Sequence, residues 1–396
     1  MKRALLALVA VVLALAGGFR LLVSLRARPL SEALVARLVL AAKLPARTVV
    51  GEVESVEGTR CLEEALAALP GDGELPGCRE VRLGQSSAAP QACHDAVAEL
   101  SERARAVVRC GRAQTVEAAR EPPFEQEEPF RRRAQAFGQA GWVLGLEASL
   151  LAGQGSAAEA LGPCRDLVAL VRDRILAETG APMGVLVFQQ ALPGCARAVD
   201  AASAAEKRAF LEELTAVRRE VPSLERVMLG FTALLELELM APLLTPEQLS
   251  ALPQGTATAA LSGSSARPGL LLRERLAIAW PAIARRFETA RATAALPGDH
   301  RAAFGALDAE LVRLPHPPEL ELNRLAETAI AYAQLDAELE LLSAAARLDA
   351  QGFDVGAPPA LTGGPISLRP EGSALVLTPV DPALSTVQVR IHPDAR

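Results

Sequence analysis

The amino-acid sequence predicts a mainly α-helical protein, built from irregular helical hairpins or a bundle, with disulfides in its N-terminal half and a small β meander at its C-terminus. Three observations predict this fold class. Apolar residues recur at helical spacing from about residue 58 to residue 350, and all six cysteines lie between Cys61 and Cys195. After Gly352 the pattern changes to Pro, Gly and the alternation typical of short strands.

The composition indicates what fills the core. Hydrophobic residues make up 50% of the 396-residue chain, whereas aromatic residues make up only 3%. Leu, Val and Ala are therefore expected to fill the interior, and Ala on helix faces lets neighbouring helices approach closely. The net charge is −6, and acids and arginines are intermixed without a basic stripe, so no nucleic-acid partner is expected.

The N-terminus has the pattern of an export signal. Lys2 and Arg3 precede an apolar run that continues, interrupted by Arg20, as far as Leu25. The 22 residues from Ala4 to Leu25 would form about 33 Å of helix, which is enough to cross the hydrocarbon core of a bilayer. Residues 1–25 are therefore predicted to be an uncleaved signal anchor in the inner membrane, with the bulk of the protein in the periplasm.

Cleavage of this segment is the alternative. Ala14-Leu15-Ala16 matches the small-residue motif of a signal peptidase site, and cleavage after Ala16 would leave a periplasmic or secreted protein. Beyond the anchor, residues 30–44 present apolar side chains on one helical face. They are predicted to form a stalk that either packs on the globular part or lies on the membrane surface.

Helical periodicity, broken at short intervals by Pro and Gly, predicts ten helices. The last of them has apolar residues at alternating steps of three and four from Leu322 to Ala346, which predicts an amphipathic helix. Residues 121–129, which are acidic and rich in Pro, and residues 251–268 are predicted linkers. The predicted helices are 58–69, 91–119, 129–152, 156–178, 182–202, 204–220, 223–242, 268–294, 299–313 and 318–350.

The C-terminal meander is predicted to contain strands at 366–368, 374–378 and 386–391, with residues 369–373 forming the first turn. Together these patterns divide the chain into four parts. The parts are a signal anchor at 1–25, a stalk with a cysteine-stapled helical hairpin at 26–120, a helical domain at 129–350 and a small β segment at 351–396.

Six cysteines in an exported chain predict three disulfides. Cys164 and Cys195 lie 16 and 15 residues from the turn that is predicted near Gly180. Because antiparallel helices on either side of this turn would bring the two cysteines level, a disulfide between them is expected.

The other four cysteines allow more than one pairing. Cys93 and Cys110 are predicted to lie on one helix, about 25 Å apart along its axis, whereas a disulfide requires Cα atoms within about 7 Å. These two therefore cannot pair with each other. Nested pairing, of Cys61 with Cys110 and Cys78 with Cys93, suits a hairpin better than crossed pairing, and both stay open. No Cys-x-x-Cys motif occurs and the cysteine spacing matches no zinc module.

The other candidates for chemistry have structural interpretations. The four histidines form no i, i+4 pair, so a metal site would need distant ligands. Glu236 and Glu238 interrupt an apolar predicted helix, but at two residues' separation they diverge by about 200° and cannot form a paired-carboxylate site. A solvent-facing position or a helix–helix contact is expected for both. The histidines are His94, His300, His316 and His392.

Two segments carry a resemblance to other proteins. Ala160-Leu-Gly-Pro-Cys-Arg-Asp-Leu167 fits the pattern A-L-x-x-C-R-x-L, and Leu361-Thr-Gly-Gly-Pro-Ile-Ser-Leu368 is similar to D-P-x-x-G-x-P-L without its first Asp and Pro. In these segments the chain resembles uncharacterised helical proteins of high-GC bacteria that are anchored to the membrane by their N-termini. The resemblance implies an envelope protein and supplies no activity or catalytic residue.

These features together predict a non-enzymatic, membrane-anchored cell-envelope protein that acts as a helical scaffold or interaction module. The expected partners are the membrane, through the N-terminal helix, and another protein. No phosphate-binding loop, nucleophile elbow or dinucleotide fingerprint occurs in the sequence, and neither a cofactor nor a metal is expected. The alternatives are a carrier of an apolar ligand between helices and a hydrolase with dispersed site residues.

Overall fold

A computed structural model gives the architecture of the protein. The predicted anchor at 1–25 falls outside the described part of the chain except for three positions, and so does the predicted stalk at 30–44. The structure describes residues 14, 17, 18, 58–69, 75, 77–78, 90–118, 127–177, 181–220, 223–240, 270–296, 298, 300–314, 325–350, 366–371, 374–381, 384 and 388–391.

The described residues form ten helices and one three-stranded antiparallel sheet. The mainly α fold class is therefore confirmed. Helix ends lie within about two residues of the predicted ones wherever both are described. The helices are α1 (Gly58–Ala67), α2 (Gln91–Ala118), α3 (Glu127–Gly153), α4 (Ala157–Ala177), α5 (Ala181–Ala201), α6 (Ala204–Glu220), α7 (Leu224–Met240), α8 (Leu270–Ala294), α9 (Arg301–Val312) and α10 (Leu325–Ala350).

Helix α5 lies at the centre of the fold. It packs against α3, α4 and α10, and the end of the sheet also contacts it. Helix α2 packs on α1, α3 and α4, whereas α6 lies against α10 and α4. The pair α7 and α8 joins this body through α9 and α10. One cluster of buried apolar side chains extends from Leu62 on α1 to Ile391 in the sheet, so the predicted parts 26–120, 129–350 and 351–396 contribute to a common core.

Helices α3 and α5 approach each other at two glycines. A Cβ atom on Gly145 would lie 2.7 Å from the Cα atom of Ala191, and a Cβ atom on Gly194 would overlap the carbonyl oxygen of Gly145. A side chain at either glycine would hold the two helices apart, because backbone atoms at such distances cannot be displaced by a rotamer change. The two glycines therefore set the distance between the central helix and α3.

The sheet consists of β1 (Ile366–Glu371), β2 (Ala374–Pro379) and β3 (Val389–Ile391), in the order β1-β2-β3. Its first strand is longer than predicted. Arg369, Pro370 and Glu371 were expected in a turn, but they pair with Val376, Leu375 and Ala374 of β2. Because β1 is an edge of the described sheet, Pro370 can lie in it without breaking the hydrogen bonds of a central strand.

Helix α10 differs from the amphipathic helix that the sequence predicts. From Leu335 to Ala346 every residue except Ala337 is buried. Helices α5 and α6 and strands β2 and β3 pack against α10, and the burial of this segment shows that both the apolar stripe and the face opposite to it are enclosed. Consequently, polar residues on the face that was expected to be solvated lie in the interior.

Two helices that bear buried charges begin at well-formed caps. The Asp308 carboxylate on α9 accepts hydrogen bonds from the backbone N–H groups of Leu325 (3.0 Å) and Ala326 (2.9 Å) at the start of α10. At the start of α6, Ser203 and Glu206 exchange hydrogen bonds as a capping box. These bonds to Ser203 lower the pKa of Glu206, and both caps fix the register of the helices that follow.

Candidate functional site

All six cysteines of the chain form disulfides. Cys61 is joined to Cys110 with a Cα–Cα distance of 5.3 Å, and Cys78 is joined to Cys93 at 5.0 Å. These pairs attach α1 and the segment near Gly77 to α2 in the nested arrangement. Cys164 is joined to Cys195 at 5.6 Å, which ties α4 to α5 as the equal spacing from the turn predicts. The three distances are ordinary for disulfides.

Two of the four candidate histidines, His94 and His300, lie in the described part of the chain. His94 is half-buried beside Cys93 on α2. His300 precedes α9, where its Nε2 atom lies 2.7 Å from the carbonyl oxygen of Leu296 and its ring meets the edge of Phe304. The residues His316 and His392 and the side chain of Glu238 lie outside the described residues. In the described ranges no three His, Cys, Asp or Glu side chains come together to hold a metal ion.

Glu236 forms the helix–helix contact that was one of its two expected roles. Its side chain is fully buried on α7, and its Oε1 atom lies 3.3 Å from Nη1 of Arg291 on α8. The same guanidinium group donates a hydrogen bond to the Thr232 hydroxyl at 3.0 Å. Because the carboxylate is paired with a cation on the facing helix, the arrangement neutralises a buried charge and holds α7 against α8.

A second group of buried charges joins α6 to α10. Arg218 on α6 forms ion pairs with Glu340 and with Asp336, the latter at 3.6 Å, and Arg347 lies 3.7 Å from Glu340. The side chains of Arg218, Asp336 and Glu340 are each at most 10% exposed. Burial lowers the pKa of Arg218, while Asp336 opposes this shift. The positions of Asp336 and Glu340, four residues apart, place both carboxylates on the α10 face that meets α6.

Glu338 lies between these two acids in the sequence but on another face of α10, because two residues turn a helix by about 200°. It is fully buried, and its Oε1 atom accepts a hydrogen bond of 3.0 Å from the Gln334 side-chain amide. Its Oε2 atom has no hydrogen-bond partner among the described residues. Burial raises the pKa of Glu338 to about 8, and the Gln334 hydrogen bond only partly opposes this shift. Glu338 is therefore mainly a neutral carboxylic acid at pH 7.

Other polar groups of α10 lack the surroundings of a nucleophile. Burial, and secondarily the charge of Asp336, raises the pKa of Tyr332 to about 12, so its hydroxyl stays protonated. The Ser343 hydroxyl donates a hydrogen bond of 2.8 Å to the Leu339 carbonyl oxygen and is engaged by its own helix rather than by a base. What α10 offers chemically is thus a buried proton on Glu338 and a charge network with Arg218.

The sequence interpretation missed these acids. They occur at alternate positions within Leu335-Asp-Ala-Glu-Leu-Glu-Leu-Leu342, where an apolar stripe on one face predicts solvated acids on the other. The signal that could have found them is the segment after Glu340, which is apolar on every face as far as Ala346, apart from one Ser. A helix that is apolar all round is typical of the interior, and acids just before such a segment are candidates for burial.

Comparison of the chain with protein-family models, with curated proteins and with solved structures finds no match. The resemblance to anchored helical proteins of high-GC bacteria thus stays a prediction. None of the helices in the described part of the chain combines the length and the apolar character that crossing a membrane requires.

Proposed function

We propose that this protein is an exported, disulfide-braced helical scaffold of the cell envelope, which residues 1–25 hold in the inner membrane and which binds another protein. The observation that carries the proposal is the pairing of all six cysteines. Disulfides form and persist in oxidising compartments, whereas reducing systems in the cytosol keep thiols reduced. An apolar N-terminus that follows Lys2 and Arg3 supplies a route to such a compartment.

The use of buried charges supports a scaffold rather than an enzyme. Among the described residues, four pairs of buried or half-buried charges join different helices, so each of these pairs ties two elements of the fold together. Catalysis instead requires a nucleophile, a base and charge-stabilising groups around one point. The interhelical ties are Arg105 to Glu147 between α2 and α3, Arg291 to Glu236 between α8 and α7, and Arg218 to Asp336 and Glu340 between α6 and α10.

The location can be tested by protease protection in the native host. Cells are compared before and after their outer membrane is permeabilised, and inner-membrane vesicles are washed at alkaline pH to remove peripheral proteins. An anchored periplasmic protein becomes sensitive to protease after permeabilisation and stays in the washed membrane fraction. Protection until the inner membrane is broken would contradict export, and release of a chain that begins at Gly17 would replace the anchor by a cleaved signal.

The scaffold role can be separated from its alternatives by affinity purification from detergent-solubilised envelope, followed by mass spectrometry of proteins and lipids. A scaffold should bring down a protein in fixed stoichiometry, and that protein should be lost when the bait is reduced and unfolded. A co-purifying lipid in fixed stoichiometry without a protein partner would favour an apolar-ligand carrier. Turnover of a substrate by the purified chain would favour an enzyme.

A further inference from the structure

The middle of α10 contains a buried carboxyl group that forms no ion pair with any residue in the described ranges. Glu338 is fully buried, and the Gln334 amide on the same helix is its hydrogen-bond partner. Its Oε2 atom has no partner in the described part of the chain. Removing an ionised carboxylate from water is strongly unfavourable unless a cation or several hydrogen bonds replace the lost solvation.

The charged groups on elements packed against α10 do not supply that compensation. Burial raises the pKa of Glu338 and the Gln334 hydrogen bond partly opposes this shift, and no charge on another described residue contributes to it. The described charged residues on the elements that contact α10 fall into two groups. The buried or half-buried ones are Arg197 and Asp200 on α5, Glu206, Lys207 and Arg218 on α6, Arg226 and Glu236 on α7, and Arg301 and Asp308 on α9. The exposed ones are Arg208, Glu212, Glu213 and Arg219 on α6, Glu225 on α7, Glu310 on α9 and Arg390 on β3.

Several of these groups are committed elsewhere. Arg197 donates a hydrogen bond to Ser149, and Arg390 pairs with Glu371. Asp308 caps α10, and Arg218 is bound by the two acids that flank Glu338 in the sequence. Strand β2 carries no charged residue. The Glu338 carboxyl group therefore depends on its own proton to remain neutral in the core.

We propose that Glu338 is a proton-binding switch, whose proton keeps α10 packed in the core and whose ionisation loosens that packing. When the proton leaves, one amide N–H group remains to solvate a buried carboxylate, so the charge draws water or a cation into the interior. Helix α10 contacts α5, α6, α9 and the sheet, and any opening at Glu338 thus affects several elements together. This property goes beyond a scaffold role and is independent of the partner.

The direction of the pH dependence follows from the two states of the chain. The pKa of Glu338 rises from its ordinary value of 4.5 to about 8 on folding. Below the lower value both states hold the proton, and between the two values the folded state holds one proton more than the unfolded state. Stability therefore falls as the pH rises across this interval, by up to about tenfold in the unfolding equilibrium for each pH unit.

The test compares the thermal unfolding of full-length wild type and Glu338→Gln, purified in the same mild detergent with disulfides intact, between about pH 5 and pH 8. Glu338→Gln keeps the shape of the protonated acid and cannot ionise. We expect the two proteins to unfold at similar temperatures at the acidic end, and the variant to become progressively more stable than wild type as the pH rises. Glu212→Gln on the exposed face of α6 is the matched control and should show no such divergence.

A stability difference between Glu338→Gln and wild type that is the same at every pH would overturn the proposal. Infrared spectroscopy provides a second measurement. It uses only the wild-type protein, so it tests the proposal even if Glu338→Gln does not fold. A protonated buried carboxylic acid has a carbonyl band distinct from that of a carboxylate. We expect such a band near neutral pH and its loss as the pH rises through about 8. A wild-type spectrum in which no protonated acid is present at neutral pH would equally rule out the switch.

Discussion

At the scale of single residues, the crossing of α3 and α5 contains the tightest backbone approach among the described glycines. We predict that Gly194→Ala destabilises the protein by about 2–3 kcal/mol or more, because its Cβ atom would overlap the Gly145 carbonyl oxygen and force the helices apart. The free energy of unfolding, measured in urea with disulfides intact, checks this prediction.

The matched control for this substitution is Gly305→Ala on α9. A Cβ atom on Gly305 meets nothing within 4 Å, so the change should be neutral or stabilise the helix by roughly 0.5–1 kcal/mol. Equal destabilisation by the two variants would contradict this account, because it would show that the loss at Gly194 does not come from the close approach of the two helices.

The Arg218 ion pairs are the second residue-scale feature. Arg218→Ala is expected to destabilise the protein by about 3–5 kcal/mol, because it leaves Asp336 and Glu340 buried without their shared cation. Its neighbour Arg219 is exposed, and Arg219→Ala should change stability by less than about 0.5 kcal/mol. Chemical denaturation of the two variants provides the comparison, and similar losses would mean that the α6–α10 ion pairs contribute little.

At the scale of elements, the disulfide between α4 and α5 reinforces the central hairpin. Its cysteines are 31 residues apart in the sequence, for which chain entropy predicts a stabilisation of about 3–4 kcal/mol. Replacing both Cys164 and Cys195 with Ala should reduce the free energy of unfolding by this amount while leaving the helical content unchanged. Loss of helical circular dichroism at low temperature would instead mean that the hairpin cannot form without its disulfide.

The elements themselves were largely predictable, since Pro and Gly mark the gaps between apolar periodic segments and helix ends follow such local signals. The Cys164–Cys195 pair was predictable for the same reason, because equal distances from one turn depend on helix geometry alone. The sequence could not predict that α10 is the helix whose polar face other elements bury. Glu338 is buried on a helix against which α5, α6 and the sheet pack, and the periodicity within α10 carries no information about those long-range contacts.

The β segment shows the same limit on a smaller scale. Pro370 and its neighbours have the composition of a turn, but the register with β2 extends the strand as far as Glu371. Cross-strand pairing therefore overrides the local preference at this edge. The turn propensity of residues 369–371 cannot predict this longer strand, because local propensity carries no information about pairing with β2.

At the scale of the whole molecule, the disulfides link α1 to α2 and α4 to α5, and ion pairs link α6 to α10 and α7 to α8. One continuous cluster of buried apolar side chains connects α1, α2, α4, α5, α6 and α10, whereas α7 and α8 contact this body through α9 and α10. Residues 1–25 precede α1, so a membrane anchor there would attach to a body that is cross-linked from its first described helix. Such a body suits a protein that holds a partner at a fixed position in the envelope.

The central claim is that the chain resides and functions in an oxidising compartment with all of its cysteines paired. Its most direct test is peptide mapping, without reduction, of the protein isolated from native cells whose thiols were blocked with N-ethylmaleimide at lysis. We predict three linked peptide pairs, Cys61 with Cys110, Cys78 with Cys93 and Cys164 with Cys195, and no cysteine that carries the maleimide. Maleimide on these cysteines in freshly blocked cells would contradict the account, because it would show that the chain is reduced where it functions.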